Sequence, residues 1–222
     1  MYRMTTLSAR MESLFHAPRT MLAGIRLFLD PTKTDMVFEL NRYGDKTGLA
    51  ASVAQLRGHD SARAAFDSRR RLVVDVARLG ALPPATLGRT FVDYLADNGL
   101  DPKELPTLPA NDDGEYLSAH LTETHDLWHV VTGFRTDVAG ELGLQAVYAA
   151  QIGGGLPHVI LGGGLLQSAL RTPDDFSRRL DAIVEGWRIG RQARCLFGVP
   201  WDELWEQPLE TVRRDLGVRV AA

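Results

Sequence analysis

The 222-residue sequence predicts an all-α protein. Three observations carry that prediction. Apolar residues recur at helical spacing, capping residues stand before most of those runs, and glycine or proline ends them.

The elements follow in order. Met4, Leu7, Met11, Leu14 and Phe15 keep helical spacing with arginines between them, an N-terminal amphipathic segment over residues 1–20. Its apolar face suits the core or a dimer contact, and alternatively a membrane surface. Met21 to Leu29 is apolar but short and broken by Arg26, so it does not read as a membrane span. Arg3, Arg10, Arg19 and Arg26 against only Glu12 and Asp30 resemble a mitochondrial transit peptide, although a basic amphipathic first helix is the simpler reading. Thr34-Asp35 caps a run through Met36, Val37, Phe38 and Leu40 that Gly44 ends, and a second run from Thr47 to Leu56 stops at Gly58. Arg69-Arg70-Arg71 reads as a solvated turn, with a phosphate or headgroup contact as the alternative. From Leu72 to Leu79 the apolar residues are too continuous for period to separate helix from strand. Pro83-Pro84 breaks the chain, Thr86 caps Leu87 to Leu95, and Asn98-Gly99 stops that helix.

A proline-bearing stretch, Leu100 to Asp113, is too short and varied to be a domain linker, so residues 1–222 are read as one domain. Glu115 to Val131 is the next helix, broken near Gly133, after which Thr136-Asp137 caps another beginning near Val138. Thr172-Pro173-Asp174-Asp175 opens a helix from Phe176 to Phe197, with proline and acidic residues in its first turn. Pro200-Trp201-Asp202-Glu203 begins the last, towards Leu216, with an interruption at Pro208.

Composition narrows the function. With 45% hydrophobic and 24% charged residues the chain can bury a substantial core. A net charge of -3 provides no basic field, so nucleic acid is not the expected partner. A single cysteine, Cys195, excludes an internal disulfide framework and a thiolate zinc knuckle.

The stretch that carries chemistry is His125-Asp126-Leu127-Trp128-His129, with Glu141 following twelve residues after His129. Residues four apart share a helix face, so His125 and His129 can bring two imidazoles to one ion. Asp126 lies about 100° round the helix from His125. It can join as a third ligand or orient an imidazole from behind. A turn at Gly133 would fold Glu141 back to the same ion, so the site lies between two helices. Two imidazoles with one or two carboxylates suit zinc, iron, cobalt or manganese, and leave room for water or substrate. This is not the H-E-x-x-H of zinc proteases, because Asp126 stands where the glutamate base would be.

The pattern H-D-x2-H-x11-E formed by these residues resembles the signature of the coenzyme Q biosynthesis protein four family. Leu82-Pro83-Pro84-Ala85-Thr86-Leu87-Gly88 resembles its L-P-x-x-T-x-G stretch, and Tyr94-Leu95-Ala96-Asp97-Asn98 its F-L-x-x-N. Gly155-Leu156-Pro157, Trp187 with Gly190-Arg191, and Trp205-Glu206-Gln207-Pro208-Leu209 resemble its later elements, so the likeness covers residues 20 to 218. The resemblance implies a helical homodimer lying peripherally on a membrane. That membrane would be the bacterial inner membrane on its cytoplasmic side, or the mitochondrial inner membrane on its matrix side. It implies His125, Asp126, His129 and Glu141 as catalytic metal ligands, with zinc as the usual ion. The implied reaction is that of a metal-dependent lyase on a prenylated 4-hydroxybenzoate, decarboxylation at C1 with hydroxylation of that carbon. Other quinone biosynthesis enzymes are the implied protein partners. The rival is a non-catalytic scaffold that binds prenyl lipid and organises those enzymes.

Two departures open the substrate. The family's R-Y-x-E reads His120-Leu121-Thr122-Glu123 here, and its lysine four residues after the signature glutamate is Gln145. Losing two cations beside the metal would weaken the hold on a carboxylate, so a paralogue acting on another aromatic or lipid is a further reading. Elsewhere bland readings prevail. The triple glycines at 153–155 and 162–164 lack the Lys-Ser/Thr of a phosphate loop, and fit close helix packing or room for a prenyl chain. His158 reads as a surface or core residue, the cluster Trp187, Trp201 and Trp205 as core, and Cys195 as an inert buried thiol. No G-x-S-x-G nucleophile motif occurs.

Overall fold

A computed structural model describes residues 46–220. The predicted segment over 1–20 and the helix from Met36 lie outside the described residues. Among these, the regular elements are α1 Lys46–Leu56, α2 Asp60–Ser68, α3 Val76–Gly80, α4 Leu87–Asp97, α5 Asp113–Thr132, α6 Val138–Gln151, α7 Gly155–Arg171, α8 Phe176–Gln192 and α9 Leu209–Leu216. Short 3-10 turns stand at Pro102–Glu104, Pro173–Asp175 and Trp201–Glu203. No sheet forms among the described residues, only one isolated bridge between Thr86 and Pro208.

The hairpin of α5 and α6 occupies the centre. Asp112 caps α5 by accepting from the Glu115 N–H at 2.8 Å, and Gly133 ends it in the left-handed conformation with φ 79°, where a side chain would be strained. Asp137 then caps α6 through the Gly140 N–H at 2.9 Å. One side of α5 packs against α1, α2, α4 and α9, while α6 packs against α7 and most extensively against α8. The α6–α8 contact needs glycine. A β-carbon on Gly186 would stand 2.0 Å from the Gly143 carbonyl oxygen, so the two backbones approach more closely than any side chain permits.

The first and last resembling stretches meet in space. Leu87 N–H donates to Gln207 O at 2.8 Å, Gly88 N–H to Trp205 O at 2.9 Å, and Leu209 N–H to Ala85 O at 2.9 Å. Thr86 caps α4 while its hydroxyl donates to Pro83 O at 2.7 Å. That clamp fixes α4 against the C-terminal segment, where Phe91 stacks on Trp205.

Several expectations change. Asp60–Ser68 is helical although no helix was expected there. Only Ala62, Ala65 and Phe66 are buried, and two alanines contribute little apolar period. Leu72 to Asp75 is irregular and only Val76–Gly80 is helical. Gly155–Arg171, read for its glycines alone, forms a helix. The helix expected to reach Phe197 ends at Gln192. Beyond it the Gln151 amide brackets the chain, donating to Arg194 O and accepting from Leu196 N–H, both at 2.9 Å, and Leu196 and Phe197 turn into the core. Arg69 and Arg70 stand on an exposed turn as expected, with Arg71 half-buried, and each side chain has a partner. Arg69 donates to Asn111 O at 2.6 Å, Arg70 pairs with Asp202 and Glu203, and Arg71 donates to Glu123 at 2.6 Å. Trp201 and Trp205 are core, whereas Trp187 is half exposed.

Candidate metal centre

The two histidines project from the last two turns of α5, one turn apart on one face. Their Nε2 atoms face each other at 3.3 Å with the rings nearly perpendicular. Glu141, in the first turn of α6, places Oε1 3.1 Å from His129 Nε2 and Oε2 3.6 Å from His125 Nε2. One ligand atom from each of His125, His129 and Glu141 lies within 4.8 Å of the others. The expected fold-back at Gly133 is therefore what brings this set together.

Each imidazole is oriented from behind. His129 Nδ1 lies 3.0 Å from the Phe134 carbonyl, which can only accept, so Nδ1 carries a proton, and a ring that gives up its other proton to bind an ion would offer the Nε2 lone pair. His125 Nδ1 lies 3.1 Å from the Tyr148 hydroxyl, which likewise leaves Nε2 facing inward. Phe134 is held because its ring occupies the space that a β-carbon on Gly143 would fill, 2.4 Å from the nearest ring atom. Neither partner was singled out in the sequence. Tyr148 was findable, since it lies seven residues, two helical turns, after Glu141 on the same face. A backbone carbonyl leaves no sequence signal.

The electrostatics pull in opposite directions on the two rings. Burial opposes charge on His129, but its hydrogen bond to Glu141, the Glu141 charge and the Phe134 carbonyl raise it above the usual histidine value. Burial likewise opposes charge on Glu141, yet His129 and then His125 hold the carboxylate below its usual range. Burial dominates at His125 and lowers it. The His129 side chain is fully enclosed, whereas those of His125 and Glu141 are 33% and 31% exposed, so the set opens to solvent on their side.

Asp126 lies outside this three-residue set. Its carboxylate is half-buried, and burial raises it above the usual range against the opposing fields of His125 and His129. It stands within electrostatic reach of both histidines and Glu141 without a hydrogen bond to any of them.

The donors fit a divalent ion. Two nitrogens each about 2.0–2.1 Å from one tetrahedral ion stand roughly 3.3 Å apart, the separation of the two Nε2 atoms. The mixed nitrogen and oxygen set is the borderline-hard chemistry of zinc, iron(II), cobalt or manganese.

The other departing residue, His120, is elsewhere. It is buried between Tyr116 and Phe197, and its Nε2 accepts from Gly198 N–H at 3.4 Å. Glu123 receives Arg71 and the Leu72 N–H, the latter at 3.2 Å. The expectation that residue 120 sits beside the metal is thus corrected: its contacts belong to the junction of α5 with the 196–198 turn. Gln145 is buried on α6, one turn after Glu141. His158 is an exposed residue whose Nδ1 lies 2.6 Å from Gly154 O. Burial pushes the Cys195 thiol up to about 11, as expected of an unreactive thiol.

Known proteins resemble this chain over most of its length. The model of the family "Coenzyme Q (ubiquinone) biosynthesis protein Coq4" matches residues 9–222. The chain is 30% identical over 208 residues to the mitochondrial ubiquinone biosynthesis protein COQ4 homologue of Aedes aegypti, covering 89% of this chain and 73% of that one. The corresponding mouse protein is 31% identical over 206 residues, covering 88% and 74%. A crystal structure from Nostoc punctiforme, of a protein described as a candidate ubiquinone biosynthesis protein, superposes with a TM-score of 0.80 at 28% identity, covering 91% of this chain and 98% of that one.

Proposed function

The chain belongs to the coenzyme Q (ubiquinone) biosynthesis protein Coq4 family, and from that premise we propose that it is a metal-dependent lyase of quinone biosynthesis. Its substrate in this reading is a prenylated 4-hydroxybenzoate of the 4-hydroxy-3-methoxy-5-polyprenylbenzoate type. The bond from ring C1 to the carboxyl carbon breaks and releases CO2, water supplies the hydroxyl that takes its place on C1, and the two electrons and two protons removed pass to dioxygen, giving hydrogen peroxide. The observation that carries the reading is the convergence of His125, His129 and Glu141 at the mouth of the α5–α6 hairpin, closed on the His129 side and open on the other. An open coordination position distinguishes a catalytic site from a structural one.

His125, His129 and Glu141 would hold the ion, with Asp126, the signature's second carboxylate, as its remaining member. A divalent ion there, zinc in the first instance, supplies a Lewis acid that fixes the substrate carboxylate and stabilises charge developing on the ring. The protein supplies preorganisation. The Phe134 carbonyl keeps the His129 proton on Nδ1, and Tyr148 holds the His125 ring. Exposed Leu166, Leu170, Val184 and Trp187 on α7 and α8 support work on a lipid at a membrane surface. Among the described residues no helix is long and apolar enough to cross a membrane. Buried Gln145, neutral beside Glu141, favours as a second reading an aromatic lipid whose head group carries less negative charge.

The test is metal analysis by plasma mass spectrometry of the purified protein beside His129→Ala and Glu141→Ala. We expect about one equivalent of divalent metal in the wild type, and loss in both variants. A folded wild type that stays metal-free after reloading would overturn the metalloenzyme reading and leave the prenyl-lipid scaffold.

A further inference from the structure

One side chain beside the site is turned the wrong way for an ordinary tyrosine. Tyr94, on α4, stacks on His129 with ring centroids 6.1 Å apart and planes 21° from parallel. A half-buried tyrosine normally keeps its apolar body inside and its hydroxyl in water. Here the ring is partly exposed while the hydroxyl is buried and has no hydrogen-bond partner. Leaving a buried hydroxyl unpaired is costly, so its orientation calls for an acceptor.

The backbone of Tyr94 is tied to the element that carries Glu141. Asn98 Nδ2 donates to the Tyr94 carbonyl at 2.8 Å, and Thr136 Oγ1 donates to Asn98 Oδ1 at 2.7 Å. Thr136 precedes Asp137, the cap of α6. The ring is therefore held in register with the metal centre by a chain of two side-chain hydrogen bonds.

The hydroxyl is shut off from bulk solvent. Tyr94 stacks on His129, and Asp126 lies three residues before His129 on the same helix, so its carboxylate neighbours that ring; Glu141 is the other carboxylate acting on Tyr94. Each Glu141 oxygen already faces an imidazole Nε2, at 3.1 and 3.6 Å. Asp126 has no hydrogen bond to either histidine or to Glu141. An unpartnered donor and an unpartnered acceptor thus border the same site.

We propose that Tyr94 is the positioning residue for Asp126: in the metal-loaded protein its hydroxyl donates to the Asp126 carboxylate and turns it toward His125, His129 and Glu141. The inference rests on the metal-centre reading above. The F-L-x-x-N motif that this stretch resembles has phenylalanine where this chain has Tyr94.

The test loads cobalt(II) into the wild type, Tyr94→Phe, Asp126→Ala and the double variant, reading affinity by titration and coordination by the visible spectrum. Phenylalanine keeps the ring and its stacking, so a purely structural role predicts no change. We expect Tyr94→Phe to weaken cobalt binding roughly 10- to 100-fold, the usual effect of losing a partner behind a ligand, and to alter the spectrum. In the Asp126→Ala background the same change should have no further effect. An unaltered affinity and spectrum in Tyr94→Phe, or a loss that adds fully to that of Asp126→Ala, would overturn the proposal. If the wild type itself takes up no cobalt, the metal-centre reading fails instead, a different result from either. Circular dichroism melts keep misfolded variants out of the comparison.

Discussion

Three histidines on one helix meet two fates, decided by what surrounds each ring. His125 and His129 face Glu141 and each other, and each is oriented by a partner on Nδ1. His120 faces Tyr116 and Phe197, where burial, with Arg71 adding to it, lowers its value from 6.5 to about 4. The unfolded chain therefore takes up this proton first. Stability from a neutral His120 is complete above pH 6.5 and lost as pH falls towards 4. The loss amounts to about 3 kcal/mol at most. His120→Gln, which keeps an acceptor for Gly198 N–H, should flatten the fall in urea midpoint over this range. An unchanged pH dependence would show that the ring charges freely in the fold. Burial also pushes the Tyr116 hydroxyl up to about 12, so it stays a neutral donor to Arg70 O at 2.9 Å.

Between α6 and α8 the site's second helix meets its main support. Gly143 is read from both sides: Phe134, whose carbonyl orients His129, fills the space beside its Cα, and Gly186 of α8 rests on its carbonyl oxygen. Gly190 repeats the close approach one turn on, where a β-carbon would meet Ala150 Cβ at 2.7 Å. Adding a methyl group at Gly186 must push α8 away from α6, because backbone rather than a flexible side chain blocks it. Gly186→Ala should therefore destabilise the protein by about 1–3 kcal/mol, read from chemical denaturation. Stability within error of wild type would mean the helices separate without penalty. Gly163→Ala is the control, since no described atom lies within 4 Å of a β-carbon there.

Across the molecule, one apolar core runs from Leu56 through α5 and α6 to Val218, and the candidate metal cluster of His125, His129 and Glu141 sits where its two central helices join. An ion bridging α5 and α6 binds only when both are folded, so it must stabilise the whole unit. Zinc at about a hundred times its dissociation constant should add about 2.7 kcal/mol, raising the melting temperature of the wild type and leaving that of His129→Ala where it was. Equal shifts in both proteins would assign the effect to some other zinc site. The Thr86–Pro208 bridge and the Gln151 bracket close the same core at its ends, joining residues 122 and 45 positions apart in sequence.

The sequence by itself determined the all-α class, the caps at Thr86 and Asp137, the stop at Gly133, and three candidate ligands that the structure brings together. Those features are local: a cap, a glycine in the left-handed region or an i, i+4 pair acts within a turn of itself. Tertiary structure alone decided the rest. It ended α8 at Gln192, because Gln151 and Leu216 capture the backbone beyond it. It sent His120 away from the metal, because 140° of helical rotation separate it from His125 and Phe197 waits on that side. It brought Tyr94 against His129 from a helix more than thirty residues away. Which distant side chain covers a ring depends on how helices pack, and no period or cap within one segment records that.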